Sequence, residues 1–109
     1  MPLPIAAWCS EPAIMELHLV SRRSDQRAWE HFRARIGAGA IVEVVLLHDA
    51  VLETEASVGA ALGSVEASKP VVMACAEDSK RRQIEERWAL VDYSGIIDRC
   101  VRAEKVTSW

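Results

Sequence analysis

The sequence predicts a single α/β domain in which a mostly parallel sheet of about five strands lies between two layers of helices. Three observations support this three-layer α/β/α class. The chain has 109 residues, which suffice for one core. Strand-like and helix-like segments alternate along it, which favours parallel strands joined by right-handed crossovers. The segment AIVEVVLL is apolar almost throughout, as in a strand that is buried on both faces.

Residues 1–13 are predicted to be an irregular extension because Pro2, Pro4 and Pro12 disfavour regular pairing. The α/β domain is predicted to span residues 14–109. Its predicted elements are strands at 14–20, 40–47, 71–76, 89–91 and 105–109, and helices at 24–36, 56–66, 78–88 and 94–103.

Apolar residues at helical spacing indicate which side of a helix faces the core. In the first helix, Trp29, Phe32 and Ile36 form the inner stripe. Either Ser24 or Asp25 is expected to cap its N-terminus.

The last two helices have different patterns. The third is mostly charged and offers only Ile84 and Trp88 as an apolar pair, so we expect it to lie on the surface. In the fourth, we expect Ile97, Cys100 and Val101 to face the core.

The composition excludes several function classes. The formal net charge is −3, and the densest basic run, Lys80–Arg82, is followed by Glu85 and Glu86, so we expect no direct binding of nucleic acid. No apolar run approaches the roughly 18 residues of a membrane helix, and the N-terminus lacks the basic region of a signal peptide. We therefore expect a cytoplasmic protein without membrane contacts.

The cysteines and histidines predict neither a disulfide framework nor a metal site. Cys9, Cys75 and Cys100 are odd in number and widely spaced, which suits a reducing compartment. The three histidines add no ligand spacing. Gly37 and Gly39 precede a strand, whereas a dinucleotide-binding loop follows one, so we expect no cofactor.

Cys75 is the candidate for chemistry. In parallel sheets, functional groups gather beyond the carboxyl ends of the strands, and Cys75 ends the third predicted strand just before a helix. The helix N-terminus, together with Lys80 and Arg81, would favour the thiolate, while Glu77 and Asp78 would oppose it. The alternative is that Cys75 is a small buried hydrophobe.

Other polar residues have structural alternatives to a functional role. Asp49, after the second strand, either caps the next turn or faces a ligand. His18 lies inside the first strand and is expected to be a hydrogen-bonded core residue. His31 is expected to be solvated, and Cys100 to belong to the core.

Several short motifs match one family in their order and spacing. The clearest lies in the closing segment, in Asp92, Tyr93, Gly95, Ile96, Ile97, Asp98, Val106, Ser108 and Trp109. Upstream of it are Leu17-His18 with Ser21, Leu46 with Asp49 and Val51, and Ala76-Glu77-Asp78. Together these residues resemble the DsrE/DsrF/DsrH sulfur-relay family, closest to its DsrH/TusB branch, over about residues 15–109. Ala50 departs from the pattern, which has Gly there.

The resemblance implies a subunit of a hetero-oligomer that passes persulfide sulfur between proteins, in tRNA 2-thiolation or in sulfur oxidation. The implied partners are DsrE/DsrF-like (TusD/TusC-like) subunits and a sulfur-donor protein. In that group the acceptor cysteine belongs to the DsrE/TusD-type subunit, and the DsrH/TusB-type subunit is often accessory. Some DsrH proteins carry a cysteine in the first helix, where this chain has none. Cys75 looks like the sulfur-carrying cysteine of the DsrE/TusD type.

Three hypotheses follow from the sequence. In the first, the chain is a sulfur carrier that holds a transient persulfide on Cys75. In the second, it is a non-catalytic assembly subunit with an inert Cys75. In the third, it is a free-standing homo-oligomer that binds a small ligand near Asp49.

Overall fold

The computed structural model of the protein describes residues 15–62 and 71–109. Its strands are β1 (Met15–Val20), β2 (Ile41–Leu46), β3 (Val71–Cys75), β4 (Ala89–Val91) and β5 (Lys105–Ser108). They form one sheet in the order β4-β3-β2-β1-β5, and every pairing is parallel. The predicted fold class is therefore confirmed.

The helices of the described residues connect these strands. They are α1 (Gln26–Gly37), α2 (Glu55–Leu62), α3 (Ala76–Arg81) and α4 (Tyr93–Arg102), with a 3-10 helix at His48–Leu52. The predicted extension at 1–13 lies outside the described residues, and so do Cys9 and the predicted end of the second helix.

The first helix forms as its sequence predicts. Asp25 is the N-cap, and its carboxylate accepts a hydrogen bond from the backbone N–H of Ala28. The inner stripe of Trp29, Phe32 and Ile36 is buried. Of the two predicted caps, Asp25 is therefore the one that the helix uses.

The third helix is shorter than predicted. It ends at Arg81, and the chain then passes through Gln83, whose φ of 57° lies in the left-handed region. The prediction of a surface helix at 78–88 is therefore wrong beyond Arg81. The indole N–H of Trp88 donates to the carbonyl of Glu53 at 2.9 Å, and its ring packs against the core, so this segment is held on the core without being helical.

The fourth helix turns a different side to the sheet than predicted. Ile96 is buried, whereas Ile97 and Val101 are 65% and 78% exposed, so the prediction that those two face the core is wrong. Gly95 explains the rotation, because a Cβ at this position would lie 2.6 Å from a methyl group of Val91. The glycine side of α4 therefore sits tightly on β4.

The two faces of the sheet are covered differently. On the α1/α2 face, two helices cover the inner residues Val20, Val42, Val44, Leu46 and Ala74. On the α4 face, α4 alone among the described helices packs on Leu17, Val45, Met73 and Cys75. The second face is therefore the less covered of the two within the described residues.

Candidate functional site

The carboxyl ends of β1, β2 and β3 meet at one edge of the sheet, as the parallel topology requires. Side chains bridge the loops at this edge. The backbone N–H of Ser24 donates to Glu53 at 2.8 Å, and that of His48 donates to Asp78 at 2.9 Å. Both Glu53 and Asp78 are buried. The carboxyl ends of these strands therefore lie together, and backbone N–H groups donate to the buried carboxylates there.

Cys75 lies at this edge, at the end of β3 and the start of α3, as predicted. Its side chain is fully buried, on the α4 face, and its Sγ lies 3.5 Å from Oε1 of Glu77. Burial raises the pKa of Cys75 above its ordinary value, and the nearby charge of Asp78 raises it further. The backbone N–H groups of Glu77 and Asp78 act in the opposite direction but are outweighed. Cys75 is therefore held as the neutral thiol.

The two cations predicted to stabilise a thiolate do not reach this sulfur. Lys80 is exposed. A guanidinium nitrogen of Arg81 lies 3.2 Å from a carboxylate oxygen of Asp78, so its charge is used there. No hydrogen bond or ion pair among the described residues joins either side chain to Cys75.

Asp49 has an exposed side chain in the 3-10 helix that follows β2. Its Oδ1 accepts a hydrogen bond from Arg82 at 2.9 Å. The N-cap of the 3-10 helix is Leu47, which makes no side-chain capping bond, so the prediction that Asp49 caps this turn is wrong. Its role as a ligand stays a hypothesis.

Asp78 is the polar residue at this edge whose importance the sequence did not reveal. It is 1% exposed, and its carboxylate accepts from the N–H of His48 and from Arg81. Burial raises the pKa of Asp78, but the hydrogen bonds from His48 and Cys75 and nearby positive charge outweigh it, so the net pKa is lowered. The charged carboxylate thus joins the end of β2 to the start of α3, and it disfavours a second negative charge on Cys75.

A second polar cluster lies under the α1/α2 face. Glu16 and His18 point from β1 towards His31 of α1, and one potential ligand atom of each lies within 4.8 Å of the others. His31 is partly exposed, as expected, but its half-buried ring also lies 5.2 Å from that of Trp109. Sequence spacing did not predict this cluster, because its members come together only when β1, α1 and the C-terminus pack.

Hydrogen bonds fix the chemistry of this cluster. The indole N–H of Trp109 can only donate, and it donates to Nδ1 of His18 at 3.2 Å. Nδ1 must therefore be unprotonated, so the proton is on Nε2, which faces Glu16 at 3.1 Å. A cation at Nε2 would have to displace this proton and compete with Arg35 for Glu16. The arrangement is that of a closed hydrogen-bond network.

The charges of this network agree with its hydrogen bonds. Burial lowers the pKa of His18, although Glu16 opposes the shift, so the imidazole is neutral. Burial alone would raise the pKa of Glu16, but hydrogen bonds from Arg35 and His18 lower it further than burial raises it. The expectation that His18 is a hydrogen-bonded core residue is confirmed. The network holds the C-terminal Trp109 on β1, and Ser21 adds a hydrogen bond to its carbonyl.

Comparison of the chain with family models, curated proteins and solved structures gives no match. None of the described helices is long and apolar enough to cross a membrane.

Proposed function

We propose that this chain is an assembly subunit of a sulfur-relay complex of the DsrE/DsrF/DsrH kind, and that it does not itself carry sulfur. The resemblance of its motifs to the DsrH/TusB branch supports the choice of complex. The burial of Cys75 is the observation that favours an assembly subunit over a sulfur carrier. Thiol chemistry requires an accessible thiolate, and this thiol is 0% exposed with a raised pKa.

The distribution of apolar surface supports an assembly role. Of the exposed large hydrophobic side chains among the described residues, only Leu90 lies outside the α4 side of the molecule. The others are Val71, Tyr93, Ile97, Val101 and Val106. Val71 pairs with Glu43 and Val106 with Leu17, and both partners point to the α4 face. Exposed hydrophobic side chains on one side of a molecule are typical of a protein contact surface.

The second candidate function is that of a sulfur carrier on Cys75. One observation favours it: the backbone N–H groups of Glu77 and Asp78 at the start of α3 act to stabilise a thiolate. In this function the Cys75 thiolate attacks the outer sulfur of a donor persulfide. The donor S–S bond breaks, the donor leaves as a thiolate, and a persulfide forms on Cys75. The step requires a partner to expose the sulfur, which is fully buried in the cluster that includes Ile96 of α4.

Alkylation rates distinguish the two functions. The native thiol of Cys75 is expected to react with iodoacetamide far more slowly than a cysteine introduced at the exposed Ser94 by Ser94→Cys, a matched control on the neighbouring helix. Peptide mass spectrometry locates each adduct. Reaction of Cys75 at a rate similar to that of the control would contradict the proposal and favour the sulfur carrier.

Copurification tests the assembly role itself. The tagged full chain, expressed in its native host, is expected to retain DsrE-like and DsrF-like subunits. Cys75→Ala is expected to retain them equally, because the thiol makes no contact that a partner needs. Recovery of the tagged chain without any such subunit would contradict the proposed complex.

A further inference from the structure

The contact between β5 and β1 contains a feature that the proposed function does not use. Trp109, which follows β5, donates its indole N–H to Nδ1 of the buried His18 on β1 at 3.2 Å. An imidazole nitrogen accepts a hydrogen bond only while it is unprotonated. The position of Trp109 therefore depends on the protonation state of His18.

We infer that the contact of β5 with β1 is an acid-sensitive switch, in which protonation of His18 at Nδ1 releases Trp109 and β5 while the rest of the sheet stays folded. A protonated Nδ1 and the indole nitrogen are both donors, so they cannot form a hydrogen bond with each other. The contact therefore breaks when Nδ1 takes up a proton. The switch involves only contacts within this chain and does not depend on the sulfur-relay proposal.

A carboxylate on β1 holds the charged imidazole in place. Oε1 of Glu16 lies 3.1 Å from Nε2 of His18, and Oε2 lies 2.6 Å from Arg35 of α1. The hydrogen bonds from these two side chains lower the pKa of Glu16 below 4.5, so the carboxylate stays charged where His18 titrates. Protonated His18 is therefore retained by a residue of its own strand.

Positive charge reaches His18 from two other elements. Lys105 on β5 and His31 on α1 both act against its protonation, and burial acts more strongly in the same direction, so the pKa of His18 lies below 6.5. β2 adds no charge beside His18, because its residue in register is Val44. Release is therefore expected below pH 6.5, and Lys105 lies on the strand that leaves.

β5 can separate without loss of the main core. It has four residues, lies at an edge of the sheet and pairs with β1 alone. None of its residues is buried. At Trp109 the backbone N–H donates to the Leu19 carbonyl at 2.8 Å, and the carbonyl accepts from Ser21. Together with the indole bond, these contacts at Trp109 hold the end of a strand that buries little surface.

NMR of the ¹⁵N-labelled full chain between pH 7.5 and 5 tests the switch. The Trp109 indole resonance is expected to move, and the β5 amides to lose protection from hydrogen exchange, with the midpoint at which Nδ1 of His18 is protonated. The ratio of released to bound β5 is expected to rise by up to about tenfold for each pH unit. The Trp88 indole is the internal control, since it donates to the Glu53 carbonyl and is expected not to move.

Substitutions separate His18 from the other groups that titrate. His18→Asn supplies an acceptor oxygen that does not titrate in this range, so β5 is expected to stay bound throughout. If His18→Asn does not fold, Trp109→Phe takes its place. It removes the donor that competes with the proton, so the pH-dependent loss of β5 protection is expected to disappear. His31→Asn is the matched control and is expected to keep the transition, because no hydrogen bond among the described residues joins His31 to Trp109.

Four results would overturn the switch. The first is a β5 that stays protected down to pH 5, and the second is protonation of Nδ1 without movement of the Trp109 indole. The third is loss of β5 only together with the Trp88 contact, which would be general acid unfolding. The fourth is a transition that persists in His18→Asn, or in Trp109→Phe where that variant replaces it, or that disappears in His31→Asn.

Discussion

The two faces of the sheet differ in how fully the described helices cover them. The α1/α2 face is covered by two described helices, and its centre contains Phe32, which is 0% exposed, beside the hydrogen-bonded pair of Glu16 and His18. The α4 face is covered by one helix of ten residues, whose outer side carries the exposed Ile97 and Val101. The comparison indicates that the first face contributes most of the buried core, and it is the second face that we propose for assembly.

The largest expected effect is the difference in stability between a side-chain truncation on the α1/α2 face and one on the α4 face. Phe32→Ala is expected to lower the free energy of unfolding by about 3–5 kcal/mol, because it leaves a cavity among buried residues. Val101→Ala, on the α4 face, is expected to change it by less than about 0.5 kcal/mol. Urea denaturation measures both. A cost for Val101→Ala close to that of Phe32→Ala would show that the outer side of α4 supports the monomer fold.

The pH dependence of stability tests the neutral state of His18. Its pKa is lowered in the folded chain from the ordinary value of 6.5, so the unfolded chain binds more protons just below that pH. The contribution of His18 to the free energy of unfolding is therefore fully present above pH 6.5. It is lost as the pH falls towards the lowered pKa of the folded chain. One group can change the free energy of unfolding by at most about 1.4 kcal/mol for each pH unit.

Trp109→Phe is the matched variant for the slope of stability against pH. It removes the donor to Nδ1 and so removes one reason for the ring to stay neutral. Urea midpoints of the wild type and the variant between pH 5 and 7.5 are expected to show a shallower slope in the variant. Equal slopes would contradict the assigned tautomer. Glu16 does not interfere, since its pKa is lowered from 4.5 and its own loss of stability lies below that pH.

The hydrogen bond from Ser21 to Trp109 is expected to contribute less to stability. Ser21→Ala removes the hydroxyl that donates to the Trp109 carbonyl at 2.7 Å, and the loss of one such hydrogen bond costs about 0.5–1.5 kcal/mol. Ser94→Ala, an exposed serine on α4, is the control and is expected to have no measurable effect. Thermal unfolding compares the two. An unchanged unfolding temperature in Ser21→Ala would mean that other contacts hold Trp109 on β1.

The smallest expected effect concerns the outer side of α4. Ile97→Ser exchanges one exposed side chain for another, so the monomer is expected to keep its stability within about 0.5 kcal/mol. Urea denaturation measures the change. A loss of several kcal/mol would place Ile97 in the core and remove it from the exposed hydrophobic side chains of the proposed contact surface.

Sequence patterns predicted the fold because strands and helices of this class carry strong local signals. AIVEVVLL reads as a buried strand without knowledge of its neighbours, and β2 forms there. The orientation of α4 was not predictable in the same way. Ile96 and Ile97 are both apolar, and the choice between them depends on the contact of Gly95 with Val91, which exists only in the folded chain.

The sequence predicts where Cys75 lies in the fold, but it does not predict that the side chain is buried. The position of Cys75 at the carboxyl end of a strand follows from the order of the elements, whereas its burial depends on how α4 crosses the sheet. The network under the α1/α2 face was not predictable, because His18 and Trp109 are 91 residues apart in the chain. Only the pairing of β1 with β5 brings them together.

A persulfide-loading experiment tests whether the buried thiol of Cys75 can accept sulfur. The full chain is incubated with a sulfur-donor protein that carries a persulfide, and the Cys75 peptide is analysed by intact-mass and peptide mass spectrometry. Because the sulfur is buried as a thiol, we expect no mass increase of one sulfur atom on this peptide, while the exposed cysteine of Ser94→Cys gains it. A gain on Cys75 of the native chain that Cys75→Ser abolishes would contradict the proposed assembly role and identify the chain as a sulfur carrier.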